Sequence, residues 1–227
     1  MGTGHHFTAQ RADGSVFPVD IMLQPLRVGG EPQVLSIVRD ITERRRMEAE
    51  LHTAIERERT LAHTDALTGA ANRRFFVDMV QREIDRALRY VHVFCLAYVD
   101  LDNFKAVNDR WGHSSGDDLL RSVVEAMSSH LRATDLLARL GGDEFALLLP
   151  ETGAEGAVTT LRKMRDSVSE AMTPRGWPVT LSVGVLTCRQ MPATVDDLVR
   201  AADALMYRAK SNGKDAIECG EFTPPEA

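Results

Sequence analysis

Leu136-Leu137-Ala138-Arg139-Leu140-Gly141-Gly142-Asp143-Glu144-Phe145-Ala146-Leu147-Leu148-Leu149 reads as two apolar strands joined by a tight turn. Two consecutive glycines between such runs mark a hairpin, because glycine alone takes positive φ without a Cβ penalty. Asp143 and Glu144 follow at once, so the turn carries carboxylates beside a backbone bare enough for a phosphate to approach. With each residue at ~4–7% usage, a chance match to Gly141–Phe145 in a chain this long is on the order of one in ten thousand. Alone, the five residues also fit a hairpin whose acids are merely solvated. The rest of the chain has to decide.

From Asp65 onward, helical and strand patterns alternate around this hairpin. A helix over 72–89 precedes a strand over 91–100, followed by helical stretches at 103–110 and 116–131. After the hairpin come a helix over 154–172, a strand over 179–187, a helix over 195–210 and a short strand over 215–219. The order is β-α-β-β-α-β with additions. It predicts an α+β fold: a palm-type, ferredoxin-like antiparallel sheet with flanking helices, placed on one face.

Upstream, residues 1–42 show two or three strands around the turns Ala12-Asp13-Gly14-Ser15 and Arg27–Pro32. Three strands with one apolar face bury little alone. Residues 43–63 hold neither Gly nor Pro, and Met47, Leu51, Ala54 and Leu61 fall on a 3.5-residue seam broken at Glu58. A linker helix with a coiled-coil seam is expected there. Residues 64–220 form the main domain and 221–227 a tail.

The chain of 227 residues has room for one such domain and a smaller segment. Its net charge of −6 argues against sequence-independent nucleic-acid binding, which needs a cationic surface. A nucleotide needs only a few placed lysines and a divalent cation. Cys95, Cys188 and Cys219 are odd in number and widely spaced, which supports neither a disulfide framework nor a zinc site. The longest apolar run, Val91 to Val99, is too short to span a bilayer. A cytoplasmic protein with no membrane segment is expected.

Asp100 closes an apolar strand, with Asp102 two residues on. In the expected sheet this strand neighbours the hairpin, which brings Asp100 and Asp143 together as hard oxygen ligands suited to Mg²⁺. Otherwise Asp100 caps the helix that starts near Asn103; Asp102 reads as a cap. Asn108 offers an amide donor and an acceptor, whereas Asp117 only accepts, which suits the donor edge of guanine. Asp117 could equally cap the helix that follows it. Lys210 and Lys214 lie four apart at a helix end, where cations also offset the dipole.

These motifs together resemble the GGDEF family, the bacterial diguanylate cyclases that join two GTP into cyclic di-GMP. The likeness runs over about residues 60–220 and includes Asp65-Ala66-Leu67-Thr68-Gly69-Ala70-Ala71-Asn72-Arg73-Arg74, with Ala70 departing from the usual leucine. It also includes Ala202–Lys214. The resemblance implies two Mg²⁺ per active site, with Mn²⁺ as a substitute, on Asp100, Asp143 and the main-chain carbonyl of Leu101. Glu144 would serve the second metal or the proton transfer beside Asp143. Guanine would lie on Asn108 and Asp117 and the triphosphate on Lys210 and Lys214. Lysine at 214, where the family often has arginine, keeps the charge without the bidentate fork. Phe104, Lys105 and Gly142 join the substrate contacts. Arg132 and Asp135 match an inhibitory product site, whose helper arginine, Arg162 or Arg165, stays open. Asp65 is expected to pair with Arg139. Residues 1–42, through the exit Val38-Arg39-Asp40-Ile41-Thr42-Glu43-Arg44, resemble the C-terminal half of a PAS sensor domain. They are expected to pair with something or stay partly disordered, without binding the ligand of a full sensor.

The implied enzyme is an antiparallel homodimer acting on GTP. A catalytically silent cyclic di-GMP receptor signalling through the linker helix is the alternative. A third reading is a palm enzyme that makes a different nucleotide product.

Overall fold

The computed structural model describes residues 7–190 and 194–223, and for residues 52 and 54–61 the backbone alone. Two compact units divide between Thr60 and Leu61. Residues 1–6 of the expected sensor segment, 224–227 of the tail, and the Ala54, Glu58 and Leu61 side chains of the seam lie outside the described residues.

In the first unit β1 (Phe7–Gln10), β2 (Val16–Val28) and β3 (Glu31–Asp40) form an antiparallel meander. Gly29 and Gly30, both at positive φ, make the two-residue turn that pairs Val28 with Glu31. Val19 is buried there, while Met22, Leu23, Val34, Leu35, Ile37 and Val38 are 46–65% exposed. The sheet therefore forms but buries little, as three strands without a second layer must. Helix α1 (Thr42–His63) follows. Its Arg44–Glu48 and Arg46–Glu50 pairs are spaced i,i+4, and Met47 and Leu51 face solvent.

The second unit holds six strands: β4 (Ala71–Asn72), β5 (Phe94–Asp102), β6 (Leu136–Gly141), β7 (Glu144–Leu149), β8 (Thr180–Cys188) and β9 (Ile217–Glu221). Their order is β4-β6-β7-β5-β8-β9. The middle four pair antiparallel, but β4 runs parallel to β6 and β9 parallel to β8. The sheet is mixed rather than wholly antiparallel. Helices α2 (Arg73–Tyr90), α3 (Phe104–Trp111), α4 (His113–Ser128), α5 (Ala154–Met172) and α6 (Val195–Ser211) cover it.

They cover both faces, which corrects the expectation of one. The reason is visible in β5, where all nine residues are buried. Cys95, Ala97, Val99 and Leu101 pack with Val107, Leu119, Val123 and Leu161 of α3, α4 and α5. Phe94, Leu96 and Tyr98 pack with Phe76 and Val80 of α2 and with Leu198 and Met206 of α6. A strand apolar at every position needs cover on each side, and each large buried side chain contributes about 1.5–3 kcal/mol.

Two boundaries bear on the site. Gly112, at φ 83, separates α3 from α4, so α4 starts at His113, three residues before the expected Gly116. Lys214 and Asp215 have φ 66 and 46, so β9 begins only at Ile217.

Candidate active site

Strand β5 ends in the residues on which the site is built. The Asp100 side chain is 9% exposed, and its Oδ2 lies 2.7 Å from Lys210 Nζ, which α6 brings across the sheet. Asp100 stands directly across from Glu144 in the β5–β7 register, and the Leu101 N–H donates to the Asp143 carbonyl at 3.2 Å. The hairpin turn is thereby seated on the end of β5. Asp100, Leu101, Asp143, Phe104, Lys105, Lys210 and Lys214 line one open cleft of about 270 Å³, together with Asp102 and Asn103. Burial pushes the Asp100 carboxyl up to about 6; the Lys210 ammonium opposes this, while the charges of Asp143 and Asp102 add to it.

The turn is held from behind. Arg139 donates through Nε and Nη2 to the Gly142 carbonyl at 3.0 and 2.8 Å, and through Nη1 to Asp65 Oδ1 at 3.1 Å. Asp65 also accepts the Thr68 N–H and hydroxyl. Burial alone would raise the Asp65 carboxyl, but Thr68 and Arg139 hold it below the ordinary value. Asn72 caps α2 by accepting the Phe75 N–H, and its amide donates to the Ala62 carbonyl. The entry motif is thus tied both to the incoming chain and to the hairpin turn, and the expected Asp65–Arg139 pair is present.

Asn108 on α3 meets the start of α4. A Cβ built on Gly116 would lie 2.0 Å from Asn108 Oδ1, so the bare glycine makes room for the carboxamide beside Asp117. Asp117, half-buried, sits a full turn inside α4 and does not cap it. A Gly116→Ala change would ordinarily favour a helix by about 0.5–1 kcal/mol. Here it displaces the Asn108 side chain. We expect an unchanged or higher Tm and roughly tenfold weaker binding of a guanine nucleotide, the base expected on Asn108 and Asp117, as losing one well-placed pairing costs about 1.4 kcal/mol. Thermal unfolding and titration with GMP check the pair.

The family model for the diguanylate cyclase GGDEF domain matches residues 62–216, which is most of the chain. The chain belongs to the GGDEF family. It is 35% identical over 213 residues to diguanylate cyclase DgcM of Escherichia coli K12, a match covering 93% of this chain and 50% of that protein. The chain spans about half the length of the curated relatives it matches. Among solved structures, diguanylate cyclase SiaD of Pseudomonas aeruginosa, in complex with its activator SiaC, matches with TM-score 0.67 at 38% identity, over 78% of this chain and 68% of that one. The coiled coil and GGDEF domain of DgcB from Caulobacter crescentus, in complex with c-di-GMP, matches with TM-score 0.71 at 29% identity, over 79% and 97%.

Within this GGDEF domain, the donors at the cleft fit a divalent cation. The carboxylates of Asp100 and Asp143 are hard oxygen ligands, and the Lys210 ammonium already provides a positive charge against Asp100. Among the described residues no three His, Cys, Asp or Glu side chains converge as a metal group. The protein therefore offers a partial shell, of the kind Mg²⁺ completes with substrate phosphates and water.

Glu144 faces Asp100 across the strands and lies beside Tyr98. Burial raises the Tyr98 hydroxyl, with Glu144 and Asp203 adding to the push. Arg132 and Asp135 share the turn between α4 and β6. There Asp135 Oδ2 accepts the Arg132 main-chain N–H at 2.9 Å, and Asp135 Oδ1 is buried without a protein partner. Arg165, one of the two helper candidates, reaches the Asp215 carbonyl at 3.4 Å.

Asp102 is not a cap. Its carboxylate is buried and takes three hydrogen bonds from β8 and from the segment before β9. Gly116 and Asn103 were also missed. Asn103 adopts φ 64 at the head of α3 and accepts Lys214 Nζ at 3.0 Å. The sequence signal that could have flagged Asp102 is an acid closing a strand that is otherwise apolar.

Proposed function

We propose that this domain condenses two GTP into cyclic di-GMP with release of two pyrophosphates. The observation carrying the reading is the single cleft in which Asp100, Asp143, Lys210 and Lys214 converge at the end of β5. Lys210 and Lys214 hold triphosphate oxygens, with Phe104, Lys105 and Gly142 beside them, while Asn108 and Asp117 read the guanine edge. Asp100, the Leu101 carbonyl, Asp143 and Glu144 hold two Mg²⁺, for which Mn²⁺ can substitute. Bound there, the cations lower the pKa of the attacking hydroxyl and neutralise charge on the phosphates. The 3′-oxygen of one GTP bonds to the α-phosphorus of the other as the bond to pyrophosphate breaks, and Asp143 with Glu144 positions or accepts the hydroxyl proton.

One chain reads one guanine, whereas the product has two-fold symmetry. An isologous, antiparallel pair of domains follows, and helix α1 as a dimeric linker would raise their effective concentration. Residues 1–42 are the end of a PAS sensor whose movement α1 passes to Asp65 and Arg139. Product binding at Arg132 and Asp135 would restrain turnover. Among the described residues no helix is long and apolar enough to cross a membrane; the cytoplasm, which holds GTP, is the proposed location.

Incubation with GTP and Mg²⁺, followed by chromatography of the nucleotide and assay of pyrophosphate, tests this. Cyclic di-GMP with two pyrophosphates per molecule is expected. Binding of cyclic di-GMP without turnover would instead make the chain a receptor, and a different nucleotide product would make it another palm enzyme.

A further inference from the structure

Asp102, 2% exposed, has both carboxylate oxygens engaged by segments far away in sequence. Oδ1 accepts the Ser182 hydroxyl at 2.8 Å, and Oδ2 accepts the Thr180 hydroxyl at 2.7 Å and the Asp215 N–H at 3.1 Å. The last bond reaches the segment that carries Lys214. Gly213, Lys214 and Asp215 run at φ 114, 66 and 46, a left-handed path that two non-glycine residues enter only where surrounding contacts impose it. Those contacts are the Ala209 carbonyl on the Lys214 N–H, Asp102 on the Asp215 N–H and Arg165 on the Asp215 carbonyl.

The adjoining residue holds the other end of the lysine. Asn103 Oδ1 accepts Lys214 Nζ at 3.0 Å, and its Nδ2 donates to the Pro178 carbonyl at 3.0 Å, which fixes the orientation of the carboxamide. Lys214 is thus held at its own N–H by the end of α6, at the next residue by Asp102 and at its ammonium by Asn103. Asp102 closes the strand that carries Asp100 and Leu101, and Asn103 follows it at the head of α3.

We propose that Asp102 and Asn103 are positioning residues that pre-set Lys214 for the triphosphate, an inference that rests on reading the cleft as a GTP site. A lysine loses rotamer freedom when it grips a phosphate, and ordering it beforehand removes that loss from the binding step. A purely structural Asp102 would weaken the fold without favouring one ligand over another.

The test is the affinity of the full chain for α,β-methylene-GTP and for GMP, each with Mg²⁺, in wild type and three variants. Asp102→Ala is expected to bind the triphosphate about tenfold more weakly and GMP within about twofold of wild type. Asp102→Asn keeps an oxygen for the Asp215 N–H and can donate to Ser182, so it should recover to within about threefold. Asn103→Gly accepts the positive φ without strain, leaves the buried network intact and should lose about threefold for the triphosphate alone. It carries the test if Asp102→Ala does not fold. Equal losses for both ligands, or unchanged triphosphate affinity in Asn103→Gly, would overturn the inference while leaving the cyclase reading in place. Failure of wild type to bind the triphosphate analogue overturns both.

Discussion

Asp100→Asn is expected to silence turnover and, at the same time, to make the folded domain more resistant to heat. The loss of activity follows from removing one of the cleft carboxylates proposed to hold the cations. Electrostatic support of a phosphoryl-transfer transition state amounts to several kcal/mol, so a fall of roughly 10³-fold or more is expected. The gain in stability follows from the Asp100 carboxyl, which burial pushes up to about 6 against an ordinary 3.8, in spite of the Lys210 pair. An acid whose folded value is raised contributes its full stability below the unfolded value, and that contribution disappears as pH rises through the folded one. Wild type should therefore lose stability between about pH 4 and pH 6, by an amount on the order of 2–3 kcal/mol. Asparagine carries no such charge, and Lys210, about one-third exposed, can turn to water. Thermal unfolding in EDTA at pH 7.5 should show a Tm several degrees above wild type, with the gap closing toward pH 4. A lower Tm at pH 7.5 would mean that the Lys210 pair outweighs the burial of the charge.

Gly184→Ala is expected to cost more stability than any surface change, about 3 kcal/mol or more. Gly184 lies in the middle of β8, where α6 crosses. A Cβ there would come 2.2 Å from the Ala202 carbonyl oxygen, 2.3 Å from the Met206 nitrogen and 2.7 Å from Leu205 Cβ. Two of these are backbone atoms inside one turn of helix and cannot step aside as a side-chain tip would. The helix as a whole has to lift, and overpacking against a backbone exceeds the ordinary 1–3 kcal/mol. Because α6 carries Lys210 to Asp100, activity should fall with stability. Urea unfolding checks the first effect and GTP turnover the second. A variant within about 1 kcal/mol of wild type would show that the close approach of β8 and α6 is not a constraint on the fold.

The two changes mark what could be read before any coordinates. The hairpin of Gly141 and Gly142, Asp100 near the end of β5 and the two lysines were legible, because strand ends, tight turns and helix ends leave local signals in residue type and spacing. The Asp65–Arg139 pair was legible through the two motifs that frame it. Gly184 was not, since a glycine inside a strand says only that something comes close and not what. Asp102 looked like a helix cap because its partners, Thr180, Ser182 and Asp215, are 78 to 113 residues away. Strand β4, two residues long, has no periodicity to detect, and the parallel edges β4 and β9 are settled by tertiary pairing. Helices on both faces could have been inferred from β5, whose continuous apolar run is the mark of a strand covered on each side.

Asp100 and Asp143, 43 positions apart in the chain, are proposed to act on one cation-bound triphosphate. Electron paramagnetic resonance of Mn²⁺ with α,β-methylene-GTP tests it most directly, with wild type beside Asp143→Ala in a titration of bound metal. Two Mn²⁺ per wild-type site, and loss of at least one of them or about tenfold weaker binding in the variant, is the predicted result. Identical Mn²⁺ stoichiometry and affinity in the two proteins would contradict the account.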